Sequence, residues 1–150
     1  MDKPVAIFPG TFDPFTIGHL SVLERALPLF GKIVVTVGFN PAKPMAIENV
    51  SERIEKIRNI VNNYPDVSVS SYTGLTVDEA RKHNATYILR GVRDVSDYEY
   101  ERRMADVNRK LTGIETLLIF TLPEHSFISS SVVRELEKFG EDITPFLPNQ

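Results

Sequence analysis

The chain contains no cysteine and no tryptophan in 150 residues. Without cysteine there are no disulfides, no thiolate nucleophile and no thiolate-bound zinc. No apolar run approaches the ~20 residues that span a bilayer, and Met1-Asp2-Lys3-Pro4 passes straight into a first strand without a signal-peptide pattern. A cytoplasmic protein with no membrane partner is expected. Strong charge of one sign is also missing: 17 Lys and Arg against 20 Asp and Glu leave a net charge of -3, so the basic surface needed for broad nucleic-acid binding is lacking. The first loop has no G-x-G-x-x-G, and G-x-x-x-x-G-K-[ST] occurs nowhere, which disfavours a dinucleotide oxidoreductase and a P-loop kinase.

What is present is a regular alternation of strand and helix patterns in a length that suits one domain, 1–150. Val5-Phe8 is a short apolar strand, and Leu20, Leu23, Leu27 and Phe30 recur at helical spacing up to Gly31, with a kink or early end expected at Pro28. Ile33-Phe39 is a β-branched strand, and Ser51 is placed to cap a helix whose inner face carries Ile54, Ile57 and Val61. Val67-Ser71 alternates as a strand; Thr76-Val77-Asp78-Glu79 fits a capping box opening a short helix to about His83; Tyr87-Leu89 is the next strand. Tyr100, Met104, Val107 and Leu111 mark one face of a longer helix, Glu115-Thr121 is the last strand, and Ser129-Ser131 leads into a helix with Val132, Leu136 and Phe139. Repeated βαβ units imply right-handed crossovers, hence an α/β, Rossmann-like doubly wound fold: a five-stranded, mainly parallel sheet with helices on both faces. In such a sheet the loops holding Thr11, Lys43, Thr76, Arg90 and Ser129 all emerge at the carboxyl edge, where ligands bind.

Two segments at that edge favour anions. Phe8 to His19 joins the first strand to a helix and sets Thr16-Ile17-Gly18-His19 at the helix start, where free backbone N–H groups attract phosphate, Gly18 permits close approach and His19 adds a proton donor. Ile128-Ser129-Ser130-Ser131-Val132-Val133-Arg134 opens the last helix with three hydroxyls and an arginine one turn in. Two helix starts on one edge can grip a polyphosphate from two sides. Each has a plainer reading, a structural histidine and a redundant cap, and cations such as Arg102 and Arg103 read most simply as solvated surface.

Together these segments resemble the nucleotidylyltransferase superfamily, marked by an (H/T)-x-G-H loop after strand one and an I-S-S-(S/T) segment near the end. Within it the chain is similar to the bacterial phosphopantetheine adenylyltransferase family. The similarity runs through Pro9-Gly10-Thr11-Phe12-Asp13-Pro14, Asn40-Pro41-Ala42-Lys43, Leu89-Arg90-Gly91-Val92-Arg93, Asp97 to Glu101, Asn108-Arg109, Phe127 to Ser131 and Phe146-Leu147-Pro148, and so covers nearly the whole chain.

The resemblance implies an adenylyltransferase that moves AMP reversibly from ATP to 4'-phosphopantetheine, giving dephospho-coenzyme A and pyrophosphate, the penultimate step of coenzyme A synthesis. It implies Mg²⁺ carried by ATP, with no protein metal ligands, and a homohexamer. His19 is then the transition-state stabiliser, with Lys43 and Arg93 as further catalytic cations. Thr11, Lys43, Leu75, Thr76, Arg90, Tyr100 and Asn108 would bind the acceptor. Thr11, Phe12, His19, Gly91, Val92, Arg93, Glu101, His125, Ser126, Phe127, Ile128, Ser129, Ser130 and Ser131 would bind ATP. Thr76 also reads as a helix cap, Tyr100 as core packing, and Glu101 as an acceptor for ribose or adenine rather than phosphate. The chain departs from the family's pattern at Pro44, where another basic residue is common, and at His125, where an aromatic is common.

The closest rival reading is a nucleotidylyltransferase with a different phosphate acceptor, against which Arg90-Gly91-Val92-Arg93 and Tyr98 to Glu101 speak. A nucleotide-sensing module would have little use for His19, Lys43, Arg90 and Arg93 together. A fragment of a class I aminoacyl-tRNA synthetase shares the first loop, but the chain has no room for tRNA-binding domains.

Overall fold

The computed structural model describes residues 2–149. Five strands, β1 (Val5–Gly10), β2 (Lys32–Gly38), β3 (Val67–Tyr72), β4 (Tyr87–Val92) and β5 (Glu115–Phe120), alternate with helices α1 (Ile17–Ala26), α2 (Ala46–Val61), α3 (Thr76–Lys82), α4 (Val95–Thr112) and α5 (Ser130–Lys138). The sheet runs β3-β2-β1-β4-β5 and every adjacent pair is parallel. The doubly wound α/β architecture is therefore present, and the sheet is wholly rather than mainly parallel.

Successive residues of β1 point to opposite faces and divide the core. Ala6 and Phe8 pack with Val22, Leu23 and Ala26 of α1 and Ile57 and Val61 of α2, whereas Ile7 packs with Val77 and Ala80 of α3 and Ile88 of β4. Leu23 and Ile33 are completely enclosed, and each such side chain contributes about 1.5–3 kcal/mol on burial. Pro28 acts as expected: α1 stops at Ala26 and Leu27–Leu29 tightens into a 3₁₀ turn.

The sheet order reverses between β1 and β4, and there the ladder is short. β1 and β2 align over six residue pairs, but β1 and β4 align only at Ala6 with Tyr87 and Ile7 with Ile88. The two strands therefore part towards their carboxyl ends, and the crevice of the doubly wound fold opens between them.

Three local expectations are corrected. Ser51 does not cap α2; it lies inside a helix that starts at Ala46 behind a left-handed Met45. Ahead of it the chain turns at Asn40, whose side chain accepts from the Ala42 N–H at 2.9 Å and whose carbonyl accepts from the Lys43 N–H at 3.2 Å. Thr76 closes no capping box, because its hydroxyl shares a hydrogen bond with the Tyr72 hydroxyl at 3.1 Å while Glu79 turns inward to His83 at 2.7 Å. Tyr100, Met104, Val107 and Leu111 do share a face of α4, but that face is open, with exposures of 53%, 37%, 49% and 58%. This excludes Tyr100 as core packing.

Candidate active site

The first loop is built around His19. Thr16 caps α1 by accepting from the His19 N–H at 3.3 Å, and the Thr16 N–H donates back to His19 Nδ1 at 2.9 Å, so threonine and histidine form a reciprocal capping box. Nδ1 accepts in this arrangement, which leaves the proton of the neutral ring on Nε2. Phe12 meets the imidazole edge-on with centroids 5.0 Å apart, and Phe15 lies 5.4 Å away. Burial, with help from the positive charges of Arg90 and Arg93, pushes the His19 pKa from 6.5 down to about 4. At neutral pH His19 is thus an uncharged donor held in one orientation.

Three cavities surround this loop and meet at Thr11. The first, of about 290 Å³, is lined by Thr11, Phe12, His19, Arg90, Gly91, Arg93, Glu101 and the serines 129–131. The second, of about 340 Å³, reaches from Thr11 and Arg90 to Tyr72, Thr76, Tyr100 and Asn108. The third, of about 550 Å³, lies towards α2 and is lined by Thr11, Lys43, Arg53, Lys56 and Arg134.

Arg90 stands at the parting of β1 and β4. Its Nε and Nη2 grip the Glu101 carboxylate at 2.7–3.0 Å, and its Nη1 donates to the Pro9 carbonyl. Glu101 is 6% exposed, and a buried carboxylate needs such a partner. Its oxygens are thus engaged by arginine, which adds a structural duty to the expected contact with ribose or adenine. Arg93 is oriented likewise by Asp97, at 3.0 Å from its Nε. Asp97 in turn is fixed by the first turn of α4, which Asp94 caps at 2.8 Å.

The three serines divide their tasks. Ser129 caps α5 by accepting from the Val132 N–H at 3.2 Å, Ser130 donates to the Pro14 carbonyl at 2.8 Å, and Ser131 accepts from Arg134 at 3.4 Å. The cap is therefore not redundant threefold; the second hydroxyl binds the two anion-favouring segments to each other. His125 comes close to the helix start as well: a Cβ built on Gly18 would lie 3.8 Å from its Cβ, and its buried Nδ1 has no partner among the described residues.

Other expected residues stand apart. Lys43 faces the α2-side cavity rather than the one holding Tyr100 and Asn108. Leu75 and Phe127 are exposed at 59% and 64%, and Val92 and Ile128 are buried at 3% and 5%, so only their backbone can face a ligand. Among the described residues no group of three or more His, Asp or Glu side chains is placed to hold a metal.

A cytidylyltransferase-like family model matches residues 7–136, a span that contains both helix starts and every cavity-lining arginine. The chain belongs to that family. Phosphopantetheine adenylyltransferases are its relatives in sequence: the protein of that name from Phocaeicola vulgatus is 52% identical over 143 residues, covering 95% of this chain and 94% of that one. The one from Caldanaerobacter subterraneus subsp. tengcongensis is 43% identical over 146 residues, covering 97% and 91%. In structure, the family member is similar to a bifunctional NMN adenylyltransferase/ADP ribose pyrophosphatase from Francisella tularensis, with a TM-score of 0.70 at 19% identity. That likeness covers 98% of this chain but 45% of the bifunctional protein, and concerns the fold alone. Within the family, the chain is an adenylyltransferase of the phosphopantetheine type.

Two features of the site escape the sequence. Arg53 of α2 donates to the Thr11 carbonyl at 2.6 Å across 42 residues of chain, and no local pattern announces it. The pairing of Arg90 with Glu101 joins a strand end to a helix in the same way. Only the βαβ crossover, with its placement of α2 and α4, makes either contact visible.

Proposed function

We propose that the chain transfers AMP from ATP to the phosphate of 4'-phosphopantetheine, releasing pyrophosphate and forming dephospho-coenzyme A, the penultimate step of coenzyme A synthesis. The observation that carries this reading is the meeting of three cavities at Thr11 beside a neutral, donor-ready His19. The extent of the similarity to phosphopantetheine adenylyltransferases supports the choice of acceptor.

The chemistry asks little of the protein beyond placement and charge. A phosphomonoester has a second pKa of about 6, so its attacking oxygen is ionised near neutral pH without a general base. Two anions must be brought together, and charge building at the α-phosphate must be stabilised. His19 Nε2–H supplies a donor to that phosphate. Arg93 and the opening of α5 hold the nucleotide's phosphates, with Thr11, Phe12, Gly91, His125 and the backbone of 126–128 around the rest of ATP. Lys43 and Arg90 draw in the acceptor phosphate, and Thr76, Tyr100 and Asn108, with Leu75 at the entrance, bind its arm. Mg²⁺ neutralises the polyphosphate when bound. Asp97 and Glu101, the carboxylates of the nucleotide cavity, are each taken up by an arginine, which suits an ion that arrives on ATP.

We further propose a cytoplasmic homohexamer. No helix is long and apolar enough to cross a membrane among the described residues. The open stripe on α4 is a surface that an assembly would cover.

With ATP and Mg²⁺, the protein is expected to release pyrophosphate with 4'-phosphopantetheine and not with nicotinamide mononucleotide or other phosphate esters. Turnover of another ester in the absence of turnover with 4'-phosphopantetheine would overturn the acceptor assignment.

A further inference from the structure

We propose that Arg53 is a positioning residue of the transfer reaction, acting through the Thr11 carbonyl to hold the turn that orients His19; this rests on the reaction proposed above. The first loop offers three alternate carbonyls, and each is held by an arginine from a different element: Pro9 by Arg90 of β4, Thr11 by Arg53 of α2, and Asp13 by Arg134 of α5. The residue between the second and third of these is Phe12, whose φ of 49° is left-handed. A bulky residue takes that conformation only when its surroundings enforce it, at a cost of roughly 1–2 kcal/mol. Arg53 and Arg134 pin the peptide carbonyls on either side, at 2.6 Å and 2.5 Å.

The pinned turn has a direct consequence for His19. It drives the Phe12 ring into the core, 3% exposed, against Phe8 and Phe15 with centroids 5.2 Å away in each case, and edge-on to the imidazole. Phe12 is thus the wall on which the His19 ring rests. Arg53 has no carboxylate within 4.0 Å among the described residues, so its guanidinium is engaged by the loop rather than by an ion pair. It lies on the helix that follows Lys43, and therefore ties the first loop to the helix entered from that cation's loop.

Misplacing a reacting group by about 1 Å costs on the order of 100-fold in rate. In Arg53→Ala, kcat is accordingly expected to fall about 100-fold while the dissociation constant for ATP stays within about threefold. Added guanidinium or methylguanidinium, which can re-occupy the Thr11 carbonyl, should restore part of kcat. Arg53→Lys, which keeps one donor and folds more safely, should lie between the two. Native kcat in both variants would overturn the proposal. So would a loss in Arg53→Ala that guanidinium does not restore, or one matched by an equal loss of ATP affinity. Because native protein serves as the reference in the same assay, failure of the proposed reaction itself would be seen there first.

Discussion

His19 is neutral because it is buried, and its proton sits on Nε2 because Nδ1 accepts from the Thr16 N–H. Two consequences follow for pH. The folded pKa of about 4 lies below the ordinary 6.5, so the unfolded chain binds more protons between these values and stability falls as pH drops through that window. The loss from this residue is on the order of 3 kcal/mol by pH 4 and is absent at neutral pH. Denaturant titrations should find that part of the acid sensitivity missing in His19→Ala. The acid limb of kcat/KM, by contrast, belongs to the acceptor phosphate near pH ~6 and should stay in place in the same variant. Gly18 makes a separate prediction. A Cβ there would meet Thr16 Oγ1 at 3.5 Å, an ordinary contact, so Gly18→Ala should leave the melting temperature unchanged or raised while increasing the KM for ATP. An unaltered KM would mean that no ligand approaches that backbone. Much at this scale was legible: His19 stands at a helix start and the serines open another. The Thr16–His19 box was not, because the pattern for such a box expects Glu or Gln at its third helical position.

At the scale of elements, the pattern of apolar residues, aided at α3 by an expected capping box, located all five strands and all five helices. It failed at helix starts, which depend on which polar group reaches an orphan N–H. Ser51 illustrates the difference. As an exposed residue inside α2 it should prefer alanine, so Ser51→Ala is expected to be neutral or to stabilise by about 0.5 kcal/mol. Ser129, the observed cap of α5, should cost about 1 kcal/mol when replaced by alanine. Thermal unfolding of the two variants side by side tests the boundaries directly. α4 also shows what periodicity cannot decide. Tyr100, Met104, Val107 and Leu111 have the spacing of a core stripe, yet only Glu101 is fully buried on this helix. The same spacing marks a face covered by the sheet and a face left open.

At the scale of the whole molecule, the short pairing between β1 and β4 explains why the cavities beside His19 and Arg90 open at one edge. Arg90 enters where the ladder stops and holds Pro9 and Glu101, and the loops from β1, β2 and β4 close round the opening. The doubly wound order was legible from the alternation of elements; the parting of these two strands was not, because it is set by register rather than by residue type. If the open face of α4 is the assembly surface, Val107→Glu with Leu111→Glu should convert the proposed hexamer to a smaller species in light scattering. An unchanged mass would place the interface elsewhere. The arrangement as a whole makes one claim above the others, that the acceptor's phosphate itself attacks the α-phosphorus of ATP in the cavity beside His19. The most direct measurement uses 4'-phosphopantetheine labelled with oxygen-18 in its terminal phosphate oxygens. Direct attack puts every label in dephospho-coenzyme A, one of them bonded to the phosphorus that came from ATP, and leaves pyrophosphate unlabelled. Label in pyrophosphate, or none on the nucleotide's phosphorus, would contradict it.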